Sequence, residues 1–232
     1  MTGRGDPQGA EMCGRFVLRA SLAEIVDAFH VEEVGCTYLG GERILPGAPV
    51  MAVAVQGGVR RLSAFRWGLV PAWAKDPAVG RRLINARGES VAEKPSFREA
   101  FRRRRCLVVA DGFHEGQSRD GAPKRTWLFS LLSGSPFGFA GLYEVWRDPG
   151  GTPLTTCTIV TTEPNALVAP IHNRMPVILD REGGQAWLDP RPGDRQSLEA
   201  LLRPYPPEEM TCREVPFLRG LRGRAAVGNL FD

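Results

Sequence analysis

The fold class is decided by the stretch Val50-Met-Ala-Val-Ala-Val-Gln-Gly-Gly-Val-Arg-Arg-Leu-Ser-Ala-Phe-Arg-Trp67. Two apolar runs, residues 50–55 and 59–67, flank the dipeptide Gly57-Gly58, and runs separated by such a glycine turn predict a β-hairpin. A loop with a tryptophan at each end, residues 67–73, follows the hairpin. A sheet rather than a helical bundle is therefore expected at the centre of the fold.

Other β-rich runs and a few short helices surround the hairpin. Ser21-Leu-Ala-Glu24 is a capping box, and apolar residues at helical spacing follow it as far as His30. Ser96-Phe-Arg-Glu99 repeats the signal and predicts a short basic helix. Further strands are predicted over residues 106–110, 127–132, 137–142, 155–162 and 175–179, and further helices over residues 164–170, 184–188 and 196–203. Because regular βαβ alternation is missing, the fold class is α+β, with a curved antiparallel or mixed sheet in one domain.

The composition fits a soluble intracellular protein. The 232 residues are 43% hydrophobic and can bury a sizeable core. A formal net charge of +4 permits a polyanionic partner without requiring one. No apolar run is long enough to predict a membrane span, and residues 1–11 lack the apolar core of a secretory signal.

The cysteines predict a reduced chain without a metal site. They are odd in number and lack Cys-x-x-Cys spacing. Four are interpreted as packing residues: Cys36, Cys106, Cys157 and Cys212. Cys13 differs, because removal of the residues before it would leave an α-amine and a thiol on adjacent carbons. Such a 1,2-aminothiol can condense with an aldehyde and close a stable five-membered ring, which an internal cysteine cannot do.

Polar residues of catalytic type gather in three clusters beside the apolar runs. The clusters are Asn85-Ala-Arg87-Gly-Glu89, Asp111-Gly-Phe-His114-Glu115 and His172-Asn173-Arg174-Met175-Pro176. Strand ends and loops often display reactive groups, which favours a functional interpretation. Each cluster also has a structural interpretation. Asn85 and Arg87 could pair within a turn, and Glu115 could be a solvated loop acid. His172 could be hydrogen-bonded to the backbone.

Two further groups have open alternatives. The arginines of residues 102–105, together with Arg60-Arg61 and Arg81-Arg82, form either a solvated face or a phosphate-binding surface. Trp67 and Trp73 are either core and loop anchors or platforms on which bases stack.

Five blocks in a fixed order connect the chain to a known family. They are Met12-Cys-Gly-Arg-Phe16, Trp67-Gly-Leu-Val-Pro-Ala-Trp-Ala-Lys75, Ile84-Asn-Ala-Arg87, Arg104-Arg-Cys-Leu-Val-Val-Ala-Asp-Gly-Phe113 and Ala169-Pro-Ile-His-Asn-Arg-Met-Pro-Val-Ile-Leu179. Through them, residues 12–217 resemble the SOS response-associated peptidase (SRAP) family of abasic-site-processing proteins. The resemblance implies a central curved, partly barrel-like mixed or antiparallel β-structure flanked by short helices. It also implies a basic groove for single-stranded DNA.

The resemblance also implies the chemistry of the site. Cys13, as an N-terminal residue, would form a thiazolidine with the ring-opened aldehyde of an abasic site and shield the lesion. Glu115 would be the acid/base near the amine, His172 would move protons to the sugar and assist ring opening, and Asn85 would orient the sugar. The implied DNA contacts are Arg15 and Arg87 to phosphates, Arg174, and Trp67 and Trp73 as a wedge and stacking surface.

The chain departs from the family pattern at two places. The family commonly has Phe-Tyr-Glu-Trp where this chain has Phe113-His114-Glu115-Gly116, so the glutamate is kept and both neighbours differ. Residues 1–11 precede Met12 and are expected to be a disordered leader or propeptide. Self-removal of this segment, as an autopeptidase, is a hypothesis. Residues 12–217 are expected to form the SRAP domain and residues 218–232 a flexible tail.

The expected partner is single-stranded DNA that contains abasic sites. We expect a monomer in the cytoplasm, associated with the nucleoid, with no membrane contact, no cofactor and no metal. Two other functions remain open at this point. One is an N-terminal-nucleophile cysteine hydrolase that uses Cys13 with His172 and Asn173 on amides. The other is a non-catalytic single-stranded DNA-binding module.

Overall fold

The computed structural model describes residues 14–117, 125–191 and 194–216. The strands are β1 (Phe16–Leu18), β2 (Glu33–Val34), β3 (Gly41–Ile44), β4 (Pro49–Gln56), β5 (Val59–Trp67), β6 (Asn85–Arg87), β7 (Arg105–Ala110), β8 (Gly112–Gln117), β9 (Arg125–Leu131), β10 (Phe137–Arg147), β11 (Pro153–Thr162), β12 (Met175–Pro176), β13 (Ile178–Leu179) and β14 (Met210–Val215). The helices are α1 (Leu22–Phe29), α2 (Arg98–Arg103), α3 (Arg181–Leu188) and α4 (Arg195–Ala200), with 3₁₀ turns at Pro77–Arg82, Gly88–Ser90 and Pro207–Glu209. The expected leader and tail, and Cys13 itself, lie outside the described residues.

Five strands close into a barrel. Their order is β11, β10, β7, β4 and β5, and β5 returns to β11 through a parallel pairing of Arg66 with Thr156 and of Trp67 with Cys157. Because the ring is closed, the long apolar strands leave no open edge among them. The α+β class and the partly barrel-like β-structure are confirmed.

A second sheet packs against this barrel. Its strand order is β14, β9, β8, β1 and β3. Phe113 of β8 stacks on Phe129 of β9 with ring centres 5.0 Å apart, and its edge meets Phe139 of the barrel at 6.2 Å. Phe16 of β1 also contacts Phe139, at 5.8 Å. These aromatic contacts bury one face of the second sheet and fix it relative to the barrel.

The hairpin and the first helix form as predicted. Strands β4 and β5 pair from Pro49 opposite Arg66 to Gln56 opposite Val59. Ser21 and Glu24 make the reciprocal capping box that begins α1, and His30 ends the helix in a left-handed conformation. Each of these elements depends on residues that are close in sequence, which is why a local pattern identifies them.

Several predictions are wrong in detail. The cap before α2 is Phe97, which makes no side-chain cap hydrogen bond, so the Ser96–Glu99 box does not form. Residues 164–170 do not form a helix. Residues 166–171 make successive turns, which the Asn165 side chain caps by accepting the backbone N–H groups of Leu167 and Val168. Strands β6, β8 and β14 were not predicted. Strands β6 and β14 pair only with partners distant in sequence, and β8 pairs both with distant β1 and with the next strand, β9.

A close backbone contact holds the loop that follows β5. A Cβ at Gly80 would lie 2.6 Å from the carbonyl oxygen of Gly68, and a Cβ at Gly68 would lie 2.7 Å from that of Gly80. Gly68 also has a φ of +128°. Two glycines are therefore required where residues 68–84 fold back on themselves before β6.

We expect Gly80→Ala to reduce the free energy of unfolding by about 2 kcal/mol, because the added methyl meets rigid backbone. The matched control is Gly35→Ala, whose Cβ would have no neighbour nearer than 3.5 Å. We expect that control to lie within about 0.5 kcal/mol of the parent. Urea unfolding measures both, and equal stabilities of the two variants would contradict the contact.

Candidate functional site

Glu115 lies on β8 with its side chain on the core-facing side of the second sheet. It is 3% exposed and stands directly opposite Trp127 of β9. Side chains alternate along a strand, so Glu115 shares its face with Phe113 of the aromatic core. The solvated-loop interpretation of Glu115 is therefore wrong, and the carboxyl group is buried.

The first described residues of the chain run alongside Glu115. Phe16 pairs with Phe113, and the His114 backbone N–H donates to the Arg15 carbonyl at 2.9 Å. The same antiparallel register, extended by one more residue, brings Gly14 level with Glu115. Cys13 is covalently bonded to Gly14 and lies outside the described residues.

Asn85 and Arg87 belong to β6, which pairs in parallel with the end of β11. Asn85 aligns with Ile159, and Arg87 aligns with Thr161. Asn85 is buried, whereas Arg87 is exposed. The turn interpretation is wrong for these two residues, because both belong to strand β6.

His172 lies across β11 from these residues, in the segment that leads into β12. Thr161 of β11 pairs with Pro176 of β12 on one side and with Arg87 of β6 on the other. Strands β6 and β12 are therefore two strand spacings apart, which is about 10 Å. The Arg174 backbone N–H donates to His172 Nδ1 at 3.1 Å. Nδ1 also lies 3.1 Å from the Arg174 carbonyl oxygen, so it accepts from that N–H or donates to that carbonyl according to the ring's tautomer. Within the described part of the chain the buried Nε2 of His172 has no hydrogen-bond partner.

A clamp around Arg174 fixes the His172 segment to the β6 side of β11. The Arg174 guanidinium makes two hydrogen bonds to Glu89, at 2.6 and 2.9 Å, and donates to the Thr161 carbonyl at 2.7 Å. Its side chain is 14% exposed. The Arg174 hydrogen bonds lower the pKa of Glu89 below its ordinary value. Contact of Arg174 with DNA stays a prediction, and the structure gives this residue a positioning task beside His172.

Trp67 joins the two sheets that carry the site. Its ring centre lies 5.2 Å from that of Phe16, and its indole N–H donates to the Ile84 carbonyl at 2.8 Å, immediately before Asn85. The side chain is 1% exposed, so neither ring face is available for a base. The prediction of Trp67 as a stacking surface is wrong, and its core alternative is correct.

Trp73 is placed differently. It is 65% exposed, at the tip of the loop between β5 and β6. Val70 N–H donates to Thr156 Oγ1 at 2.8 Å, and the Trp146 indole donates to the Ala74 carbonyl at 2.7 Å, so both sides of the tip are anchored. A fixed, exposed indole fits the stacking role, which stays a prediction for Trp73.

A second link closes the site from the β8 side. The Gln117 side-chain amide donates to the Pro170 carbonyl at 2.7 Å. Pro170 lies two residues before His172, so this bond ties the end of the Glu115 strand to the His172 segment. The structure thus brings the Glu115, His172 and Asn85 segments together around the end of β11.

The basic run of residues 102–105 is largely occupied by structural contacts. Arg105 is buried and donates to the backbone carbonyls of Phe101 and Trp187 at 2.9 and 2.7 Å. Arg104 pairs with buried Glu144 at 2.6 Å. The phosphate-binding interpretation of this run is therefore wrong for Arg104 and Arg105.

The remaining cysteines behave as packing residues. Cys106 and Cys157 are buried in the barrel, and burial raises the pKa of both thiols. Burial also raises the pKa of half-buried Cys36 and Cys212. A raised thiol pKa lowers the thiolate fraction and hence the reactivity.

Within the described ranges, no group of three or more His, Cys, Asp or Glu side chains could hold a metal ion. None of the helices in those ranges has the length and apolar character needed to cross a bilayer.

Sequence reasoning missed three residues that shape the site. Trp127, opposite Glu115, was assigned only to a strand, and Gln117 and Glu89 were assigned no contact. Strand β9 was predicted near Trp127, so a predicted pairing with residues 112–117 could have found it. Nothing local could have identified the bonds of Gln117 and Glu89, because their partners lie 53 and 85 residues away.

The fold and this grouping of segments define a β-barrel protein whose N-terminal strand runs beside a buried carboxyl group. Residues 12–218 match the family described as SOS response associated peptidase (SRAP). The chain belongs to that family.

Individual relatives agree with this assignment. The chain is 41% identical over 209 residues to the abasic site processing protein YoqW of Bacillus subtilis, covering 89% of this chain and 93% of that one. It is 31% identical over 178 residues to the abasic site processing protein HMCES of Xenopus tropicalis, and the match covers 67% of this chain and 52% of that one.

Solved structures share the fold. A crystal structure of a protein from Bacteroides thetaiotaomicron superposes with a TM-score of 0.81 at 25% identity, covering 88% of this chain and 92% of that one. A crystal structure of a protein from Bordetella bronchiseptica superposes with a TM-score of 0.77 at 22% identity, covering 88% of this chain and 100% of that one. At this identity the similarity is one of fold alone.

We expect Glu89→Gln to weaken the Arg174 clamp and to lower the free energy of unfolding at pH 7 by less than about 1 kcal/mol, since Glu89 is largely exposed. The folded-state pKa of Glu89 is depressed, so its contribution is present above the unfolded pKa and is lost as pH falls through the folded one. The stability difference between parent and variant should therefore shrink below about pH 4. Urea unfolding at pH 7 and pH 3 tests this, and a difference that grows in acid would contradict it.

Proposed function

We propose that the protein senses abasic sites in single-stranded DNA and captures them covalently through Cys13. The observation that carries this is the pairing of β1 with β8, which brings Gly14 level with the buried Glu115 carboxyl. Family membership and the names of the relatives supply the substrate class. The protein would then shield the lesion during the response to DNA damage.

The reaction begins at the Cys13 α-amine. An α-amine has a pKa of about 7.7 to 8.0, so a useful fraction is neutral and nucleophilic near neutral pH. Its nitrogen attacks the C1 aldehyde of the ring-opened sugar and gives a carbinolamine. The carbinolamine loses its hydroxyl as water, which leaves an imine. The Cys13 sulfur then adds to the imine carbon, the thiol proton passes to the nitrogen, and the thiazolidine ring closes.

Two buried groups suit the proton transfers. Glu115 lies beside the chain start and can protonate the departing hydroxyl, which is general acid catalysis. His172 offers a buried Nε2 that has no partner within the described residues, so it can exchange a proton with the sugar hydroxyl and assist ring opening. Asn85, buried on β6, supplies an amide for orienting the sugar.

The DNA contacts are proposed for exposed or half-buried residues around these groups. Arg15 and Arg87 would bind phosphates, and the exposed indole of Trp73 would stack on a base. Arg174 would contribute through its hold on the His172 segment as well as through its charge. The net charge of +4 favours such a partner.

Ring formation requires Cys13 to be the first residue of the mature chain. Loss of residues 1–12 would create that terminus, and the protein's own cleavage after Met12 is one route to it. An internal Cys13 has an amide in place of the amine, and an amide nitrogen cannot form the imine.

Single-stranded DNA with one abasic site, mixed with the protein and run on a denaturing gel, tests the proposal. The parent should give a heat-resistant adduct, and Cys13→Ala should give none. Glu115→Gln should form it roughly 100-fold more slowly, because it removes a proton donor and acceptor. The matched control is Cys212→Ala, a packing cysteine, which should behave as the parent.

The outcomes separate this function from its rivals. An adduct that survives in Cys13→Ala would refute the nucleophile. No adduct from protein with a verified Cys13 terminus would refute the function. Salt-sensitive DNA binding without any adduct would favour a binding module, whereas acylation of Cys13 by amide substrates would favour a hydrolase.

A further inference from the structure

The second sheet carries a row of polar and basic residues on the face opposite Glu115. Arg213 of β14 pairs with Leu128 of β9, and Leu128 pairs with His114 of β8. His114 in turn donates its backbone N–H to the Arg15 carbonyl, at the start of β1. Residues directly opposite in antiparallel strands share a face. Arg213, His114 and Arg15 therefore lie in one row across four strands.

Two buried polar side chains in this row have no partner within the described residues. They are His114, which is 8% exposed and has Nδ1 unbonded, and Thr126, which is 3% exposed and has Oγ1 unbonded. Thr126 stands opposite Gly116, next to the His114 pair along the same two strands. Gly116 contributes no side chain beside these two polar groups. Buried polar groups without partners are uncommon and call for an explanation.

The charge around His114 is positive. Burial lowers the pKa of His114 to about 4, and the charges of Arg15, Arg19 and Arg213 act in the same direction. Glu42 is the acidic group that acts on the ring, and it is held by two hydrogen bonds from Arg19, each 2.6 Å. Asp111, nearby, accepts the backbone N–H groups of Arg19 and Ala20 at 2.5 and 2.9 Å.

Neutral donors surrounded by cations are suited to an anion. A neutral imidazole has one N–H, the Thr126 hydroxyl has one O–H, and Arg213 is exposed, with no ion pair in the described ranges. Arginine is the side chain that best matches phosphate geometry. The same positive surroundings would repel a cation.

We propose that His114, Thr126, Arg15 and Arg213 form a phosphate site for the single-stranded DNA, here called the His114 niche. It rests on the proposed function, because DNA is the polyanion that the function supplies. Strand β8 carries Glu115 on one face and the niche on the other. A DNA strand that passes the end of β8 can offer its abasic sugar to Glu115 and a neighbouring phosphate to the niche.

Binding of fluorescently labelled single-stranded DNA without an abasic site tests the niche apart from the covalent step. Arg213→Gln should weaken binding several-fold and reduce the slope of log Kd against log salt by about 0.7, the value for one phosphate contact on a single strand. Thr126→Val should weaken binding about fivefold with the slope unchanged, because it removes a hydrogen bond and no charge. The control Arg103→Gln removes an exposed charge on α2 and should change binding less than Arg213→Gln.

A second readout follows the His114 ring by NMR in the full chain. A phosphate in the niche favours the protonated ring, so the pKa of His114 should be higher in the DNA complex than in the free protein. Equal binding by Arg213→Gln and Arg103→Gln, or a His114 pKa that DNA does not raise, would overturn the niche. Adduct formation on abasic DNA reports separately on the proposed function, so either can fail while the other holds.

Discussion

The buried indole of Trp67 lies between the two sheets that carry the candidate site. One sheet holds Glu115 and the start of β1, and the other holds Asn85, with His172 in the segment leading into β12. Trp67 packs on Phe16 of the first sheet and donates to the Ile84 carbonyl of the second. The Trp67 and Phe16 side chains are both buried, so their packing is tight. The relative position of the proton-transfer groups depends on this side chain.

Strand β11 organises the remainder of the site. It closes the barrel against β5 and also pairs with β6 on one side and β12 on the other. The ends of three strands therefore converge at Thr161. The Arg174 clamp to Glu89 and the Gln117 bond to Pro170 then hold the two loops in place. A site assembled this way has its reactive side chains on short, well-anchored segments, which favours precise geometry for proton transfer.

The sequence reveals those parts of the fold whose signals are local. The β4–β5 hairpin and helix α1 depend on a glycine turn and a capping box within a few residues. Strand β8 was missed because Gly112, His114 and Gly116 break its apolar pattern, and only pairing with β1 and β9 makes it a strand. Trp67 was misassigned for a related reason: an aromatic residue beside a loop has the same sequence signal whether it is buried or exposed.

The site shows the same division. Glu115, His172, Asn85 and Arg87 were identified from residue type and family blocks, and the structure brings their segments together. The bonds that hold those segments together could not be predicted, because Gln117 and Pro170 are 53 residues apart and Arg174 and Glu89 are 85 residues apart. The unusual pair His114 and Gly116 was visible in the sequence as a departure. Its physical meaning became apparent only with Thr126 and Arg213 placed on the same face.

The central claim is that the Cys13 amine and thiol both bond to the aldehyde carbon of the sugar. Proteolysis of the purified DNA adduct followed by tandem mass spectrometry of the first peptide tests it most directly. The account predicts a peptide that begins at Cys13, carries the sugar remnant with the loss of one water, and has neither a free amine nor a free thiol. A remnant on a lysine or on another cysteine, or an adduct peptide that still contains Met12, would contradict it.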